Sequence, residues 1–430
     1  MEEACVIRTR TDDLPCTDHL DTRVTRRHHG LPLHVSRPLA YLLLACVFAY
    51  GMLGTTLPTP LYVLYQEQYQ FTSVLITVIF AVYPLGVLAA LLVFGRVSDH
   101  FGRRPVLVAA LLLACASTLL FVFAQNVAML LAGRFLSGLG AGLLTGTATA
   151  GLAELEPTGS QQQAARVTTA ANMGGLGLGP LVAGLFAQLA PAPTRLVFVV
   201  YLLFLVVALL LVGVLPETMK APDHVLDLRP RVAVPPSTRT IFVEAAVTVV
   251  CVFALLGLFS ALAPSFLRST LHEPNLIVAG VVVFLLFGTA SAAQVVLHTL
   301  TTRTARLAGR SLLLLALALI ELGLGLSSLA LFLAGTVIGG LGIGLAFMGS
   351  LAAINQVAPP EQRAAMVSAF FVAAYAGVSV PVVGVGLLAQ GTNLLVASIC
   401  LAAVIALLLL LTLAVVLWPV RRAALKVSNR

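Results

Sequence analysis

The chain has 430 residues, 59% of them hydrophobic and 10% charged, with 25 Lys and Arg against 17 Asp and Glu for a formal net charge of +8. Soluble globular chains carry about 25% charge, so this composition excludes a water-soluble domain and leaves helices that satisfy their own backbone inside lipid.

Taken in order, residues 1–37 are polar, mixed in charge and without the apolar core of a signal peptide, which predicts a disordered cytoplasmic tail. His28, His29 and His34 fall in this tail and are read as solvated residues. Twelve apolar segments follow, each long enough to cross a bilayer as a helix: about 38–58, 72–94, 105–124, 127–150, 164–188, 195–215, 240–262, 275–297, 311–328, 331–353, 363–388 and 394–417. The breaks carry turn or helix-start residues, among them Pro58-Thr59-Pro60, Gln125-Asn126, Pro191-Ala192-Pro193 and Pro359-Pro360-Glu361. The longest interior break, 216–239, holds Pro216-Glu217-Thr218, four basic residues and five prolines. It is read as a cytoplasmic linker between two six-helix bundles, 38–215 and 240–417, with a second cytoplasmic tail at 418–430.

Lysine and arginine set the orientation. With the N-terminus inside, 22 of them fall on the inner face and only Arg195 and Arg268 outside. Both termini are therefore expected in the cytoplasm, with the chain multi-pass in the cell (inner) membrane. Topology explains the positive balance without nucleic acid.

Of six cysteines, Cys46, Cys115, Cys251 and Cys400 lie in apolar segments, and no Cys or His cluster has metal-ligand spacing. No Gly-x-x-x-x-Gly-Lys-Ser/Thr loop occurs, so ATP is not the energy source. No nucleophile, base or metal ligands cluster either. The reading is a non-enzyme with no cofactor and no metal.

The chain also repeats itself. Residues 131–143 and 333–345 agree at eight of thirteen positions at an offset of 202, keeping a Gly-x-Gly-x-Gly register. Gln163-Ala164-Ala165 lies near Arg363-Ala364-Ala365, and Pro180 near Pro381, at offsets of 199–201. Helices 4 and 5 thus answer to helices 10 and 11 in the same orientation.

The densest charge between two apolar segments is Gly95-Arg96-Val97-Ser98-Asp99-His100-Phe101-Gly102-Arg103-Arg104-Pro105. Its Gly-x-x-x-Asp-x-x-Gly-Arg-Arg spacing resembles the loop 2–3 signature of the major facilitator superfamily. The resemblance covers most of residues 38–417 and implies an all-α membrane protein of twelve transmembrane helices in two parallel six-helix halves. It implies a gating loop in which Gly95 and Gly102 permit the turn. Asp99 is expected to accept hydrogen bonds from the start of helix 11, and Arg103 and Arg104 to latch onto Glu154 or Glu156. The matching loop of the second half, residues 302–310, has Arg306 where the aspartate would stand, so the expected gate is asymmetric.

Arg134, followed by Gly138, Gly140 and Gly142, resembles the family's helix 4 motif, whose arginine faces the cavity and tunes a proton or substrate site. An arginine snorkelling to the interface is the plainer alternative. Gly175, Gly179, Pro180 and Gly184 resemble the helix 5 motif of drug and metabolite exporters, with Ala183 where that family usually has glycine. Glu321, near the middle of helix 9, and Glu244, one turn into helix 7, are proton candidates, since a midplane carboxyl favours its neutral form. Against this, Glu321 can be structural and Glu244 interfacial, and helix 1 carries no acid. Tyr50, Thr55, Thr145 and Ser260 are expected to line the cavity among mostly apolar neighbours.

The resulting expectation is a monomeric, proton-coupled exporter of small lipophilic drugs or metabolites working by alternating access. A sugar or organic-acid facilitator of the same fold is the alternative. The partners are a small-molecule solute, protons and the bilayer.

Overall fold

The computed structural model describes residues 35–94, 97–219 and 233–428, with side chains described to residue 417. Gly95, residues 1–34 of the expected tail, 220–232 of the expected linker and residues 429–430 lie outside the described residues. Among the described residues there is no strand, and twelve helices are long and apolar enough to cross a membrane. They are α1 (Arg37–Thr56), α2 (Ser73–Phe94), α3 (Arg103–Val122), α4 (Val127–Leu155), α5 (Gln161–Leu189) and α6 (Pro193–Val214). After the break come α7 (Arg239–Ser269), α8 (Leu276–Val296), α9 (Thr302–Gly325), α10 (Leu329–Val357), α11 (Arg363–Gly391) and α12 (Leu394–Ser428).

Side-chain caps start several helices at predicted breaks. Asn126 Oδ1 accepts from Met129 N at 3.1 Å at α4, and Ser160 Oγ from Gln163 N at 3.2 Å at α5. Some helices outrun the apolar segments that predict them. α7 has 31 residues, a rise of ~46 Å against a hydrocarbon core of ~30 Å. Its last turn carries Ser265, Arg268 and Ser269, polar residues that reach beyond an apolar layer. Where Pro58 and Pro60 end α1, the chain makes tight turns and then a short helix, Tyr62–Tyr69, which apolarity alone does not mark.

The repeat seen in sequence reappears as packing. α3 lies on α4 as α9 lies on α10, α2 on α4 as α8 on α10, and α1 on α5 as α7 on α11. Two further pairs join the halves, α5 with α8 and α2 with α11, and exchanging the halves turns one pair into the other. This is the relation a pseudo-twofold axis imposes.

The face at which α1 begins and α12 ends is here called the terminal face. On the opposite face the halves are tied by the Arg268–Glu67 ion pair and by Leu276 N donating to Gln188 Oε1 at 3.3 Å. There α2 and α11 also touch closely, since a Cβ on Gly386 would stand 2.4 Å from Thr77 Oγ1. On the terminal face, among the described residues, the hydrogen bond joining the halves is Arg166 with His298.

Candidate functional site

A cavity of about 300 Å³ lies between the halves. Its wall runs from Thr55, Phe80 and Ser260 near the middle to Thr149, Thr168, Gln294 and Leu351 toward the terminal face. Phe253, Phe287, Phe347, Phe371 and Tyr375 give it an aromatic side among threonines and other polar residues. Thr55, Thr145 and Ser260 lie on this wall. Tyr50 does not, which corrects the expectation for that residue. Its hydroxyl donates to Tyr201 O at 2.9 Å, and its ring packs on Tyr201 at 4.9 Å between centroids. The reason is helical phase: α1 turns Met52, Thr55 and Thr56 toward the cavity, and a residue two places before Met52 points the other way.

Arg134 is 2% exposed and lines the cavity. Nη1 donates to the Thr55 carbonyl at 2.6 Å, at the last turn of α1, where a cation meets the negative end of a helix. The guanidinium carbon lies 4.7 Å from the Tyr83 ring centroid and 5.7 Å from that of Phe80. Glycine makes this arrangement possible. A Cβ on Gly138 would sit 2.1 Å from Tyr83 O, so the α2 and α4 backbones touch and bring Tyr83 against Arg134. With this burial and these partners, the side chain does not snorkel to an interface.

At the terminal face the charged loop folds as a short helix, Val97–Phe101, and then a glycine. Gly102 has φ +96°, and a Cβ there would meet Glu217 Oε2 at 2.7 Å. The Glu217 carboxylate caps α3, accepting from the backbone N–H of Arg103 at 2.8 Å and of Arg104 at 3.0 Å. The Arg103 side chain is buried among Ser98 Oγ at 2.7 Å, Asp99 Oδ1 at 2.6 Å and Glu154 Oε1 at 2.7 Å. Thr218 donates to Glu154 as well.

Arg103 and Glu154 thus meet as expected from sequence, while two other expectations change. Glu156 accepts from Thr158 N at 2.8 Å and Ser160 N at 2.6 Å, so it holds the α4–α5 turn and pairs with no arginine among the described residues. Asp99 bonds Arg103 one turn on, not the start of α11, and its side chain is 57% exposed. In this conformation the cavity extends toward the terminal face, and no hydrogen bond among the described residues joins the loop to α11. Glu217 and Thr218 escaped the sequence reading because nothing in their spacing links them to a loop more than 100 residues earlier.

The helix 5 motif lies in the seam between the halves. A Cβ on Gly175 would meet Ala49 O at 2.2 Å, and one on Gly179 would meet Leu53 O at 2.3 Å, both on α1. On the other side, a Cβ on Gly184 would meet Leu276 O at 2.4 Å, and one on Gly280 of α8 would meet Pro180 O at 2.4 Å. α5 is therefore wedged between α1 and α8 at backbone contact.

A family model described as Major Facilitator Superfamily matches residues 42–326. The chain belongs to this superfamily. The human organic anion transporter MFSD10 (TETRAN) is similar in structure, with a TM-score of 0.65 and 17% identity, over 88% of this chain and all of that one. The nucleoside transporter NupG superposes with a TM-score of 0.69 at 12% identity, over 87% of this chain and 99% of that one. These likenesses are of fold. In sequence, the multidrug resistance protein MdtL of Escherichia coli O45:K1 is 44% identical over 63 residues, 15% of this chain and 16% of that protein.

Two acidic residues of this superfamily member lie away from the cavity wall. Glu244, buried on α7, is clamped by Arg306 and Arg310 of α9. Arg310 also donates to Thr248 Oγ1 at 2.9 Å and to the Arg306 carbonyl at 2.9 Å. Glu244 is therefore enclosed by protein and charge-paired. Arg306, which stands where an aspartate was expected, has its counter-charge on a neighbouring helix. Glu321 accepts from Ser398 Oγ of α12 at 3.0 Å and lies on the α9–α12 contact, not in the cavity. Neither pairing was legible in sequence, because each joins helices whose relative rotation apolar periodicity leaves open.

Proposed function

We propose that the chain is a proton-coupled exporter of small lipophilic drugs or metabolites, monomeric in the cell (inner) membrane with both termini in the cytoplasm. The observation carrying this reading is the cavity between the halves, aromatic along one side and extended toward the terminal face while the opposite face is tied by Arg268–Glu67 and the α2–α11 contact. That is the form expected of one state of alternating access, facing the cytoplasm if the terminal face is cytoplasmic. Rocking about the α5–α8 and α2–α11 seams would carry the solute across. The Asp99 loop would approach α11 in the outward-facing state and stabilise it.

Direction rests on the helix 5 glycines and proline and on the short match to MdtL. Protons enter through Glu321, the carboxylate within the described spans that has no arginine beside it. Charge on a half-buried carboxylate is costly in this setting, so a proton there changes how α9 sits on α12.

The test is export of a fluorescent lipophilic dye from proteoliposomes with and without an imposed pH gradient. Gradient-driven export, lost in Asp99→Ala and Glu321→Gln, supports the proposal. Equal export without a gradient removes the proton, and counterflow alone converts the protein into a facilitator.

A further inference from the structure

We infer that the solute carries an anionic head, a carboxylate or sulfonate on an apolar ring-bearing body, and that Arg134 holds it. The inference rests on reading the cavity as the transport site.

Three arginines are buried: Arg103 at 8%, Arg134 at 2% and Arg310 at 0% exposure. Arg103 has Glu154 and Asp99 beside it, and Arg310 has Glu244. Arg134 has no carboxylate within ion-pair distance among the described residues, and it is the one of the three on the cavity wall. No Asp or Glu lines that wall. The Thr55 carbonyl takes one donor at Nη1, while Nε is buried without an acceptor. A carbonyl dipole and two ring faces soften a guanidinium's charge without cancelling it, and the fork geometry of its donors suits a carboxylate. Elsewhere in this fold a buried arginine is matched by an acid. Here the missing acid is supplied by the solute.

The same inventory states what the site rejects. An amphiphilic amine would bring a second positive charge into a low-dielectric chamber with nothing to offset either one. A neutral amide of the same shape would leave the guanidinium as it is. The aromatic lining gives the apolar body its shelf. Gln294 Nε2, buried without an acceptor nearer the terminal face, offers a second donor to a polar atom at the other end.

The alternative for Arg134 is a purely structural cap on the end of α1. Binding of 2-naphthoate, 2-naphthamide and 2-naphthylmethylammonium to the purified full chain separates the two, since the three share one ring system and differ in charge. The expected order places naphthoate about tenfold or more tighter than the amide, with the ammonium weakest. Arg134→Gln, which keeps a donor for the Thr55 carbonyl, is expected to remove the difference, and Arg134→Lys to keep part of it. Equal binding of anion and amide, preference for the ammonium, or no binding by any of the three overturns the inference. The wild-type comparison stands even where a variant fails to fold. Flux of the same compounds in proteoliposomes separates the two readings. Export of the ammonium but not the naphthoate defeats the anion site and leaves the exporter standing, whereas selective naphthoate binding with no flux of any compound defeats the exporter and leaves the site.

Discussion

Arg103 Nη2 lies 2.7 Å from Glu154 Oε1 and so ties the first turn of α3 to the last turn of α4. The arginine is 8% exposed, whereas the side chain of Asp99, its other acid, is 57% exposed. The two acids should therefore separate by readout. Glu154→Gln leaves a buried cation underpaired and is expected to cost about 1–3 kcal/mol, seen as a lower Tm in detergent. Asp99→Asn removes a mostly exposed pair worth under about 1 kcal/mol and should leave Tm nearly unchanged while lowering flux. Equal Tm losses in both variants would contradict this division.

Gly102 occupies a conformation with φ +96° and ψ 163°, a region that side-chain-bearing residues avoid. An added Cβ also meets the Glu217 carboxylate that caps α3. Gly102→Ala is accordingly expected to cost about 1–3 kcal/mol, and Glu217→Gln to weaken the same cap by less. Thermal melting of the two single variants and the double checks this. Because both act on one contact, their losses should fall short of additive.

How much of this was legible in the sequence depended on whether the signal was local. Twelve spans and the two-half repeat follow from apolar runs and glycine registers, while a partner for Arg103 at Glu154 or Glu156 was implied only by the charged loop's resemblance to the superfamily signature. Tyr50 was misplaced because a polar residue on a cavity-lining helix is assigned to the cavity only once the helix's rotation is known. The partners of Glu244 were missed for a similar reason. Arg306 and Arg310 stand 62 and 66 positions away on a helix whose inner face no periodicity reveals, since lipid-facing and buried residues there are alike apolar.

Glu244 answers two arginines at once, so the triad retains one positive charge inside the second half. Removing the shared acid exposes both cations to an apolar surround. Glu244→Gln is expected to destabilise by about 3–5 kcal/mol, enough to reduce the folded yield sharply. Adding Arg306→Leu and Arg310→Met removes the orphaned charges and should restore most of that loss. Yield and Tm of the single and triple variants decide it, and a triple variant worse than the single would refute the account.

Glu67 and Arg268 pair across the halves on the opposite face, with side chains 53% and 52% exposed. An exposed pair of this kind contributes about 0–1 kcal/mol, a minor share of the tie beside the close α2–α11 contact, yet its position makes it a reporter of the halves' separation. If the halves rock, this pair must part in each cycle. In a background stripped of the native cysteines, a short reducible thiol-to-thiol cross-linker applied to Glu67→Cys/Arg268→Cys should bridge the two cysteines in this conformation, arrest flux, and release it on reduction. Single cysteines should transport like the parent, because neither charge lies in the cavity wall. Continued flux through a fully cross-linked protein would show that the opposite face does not open.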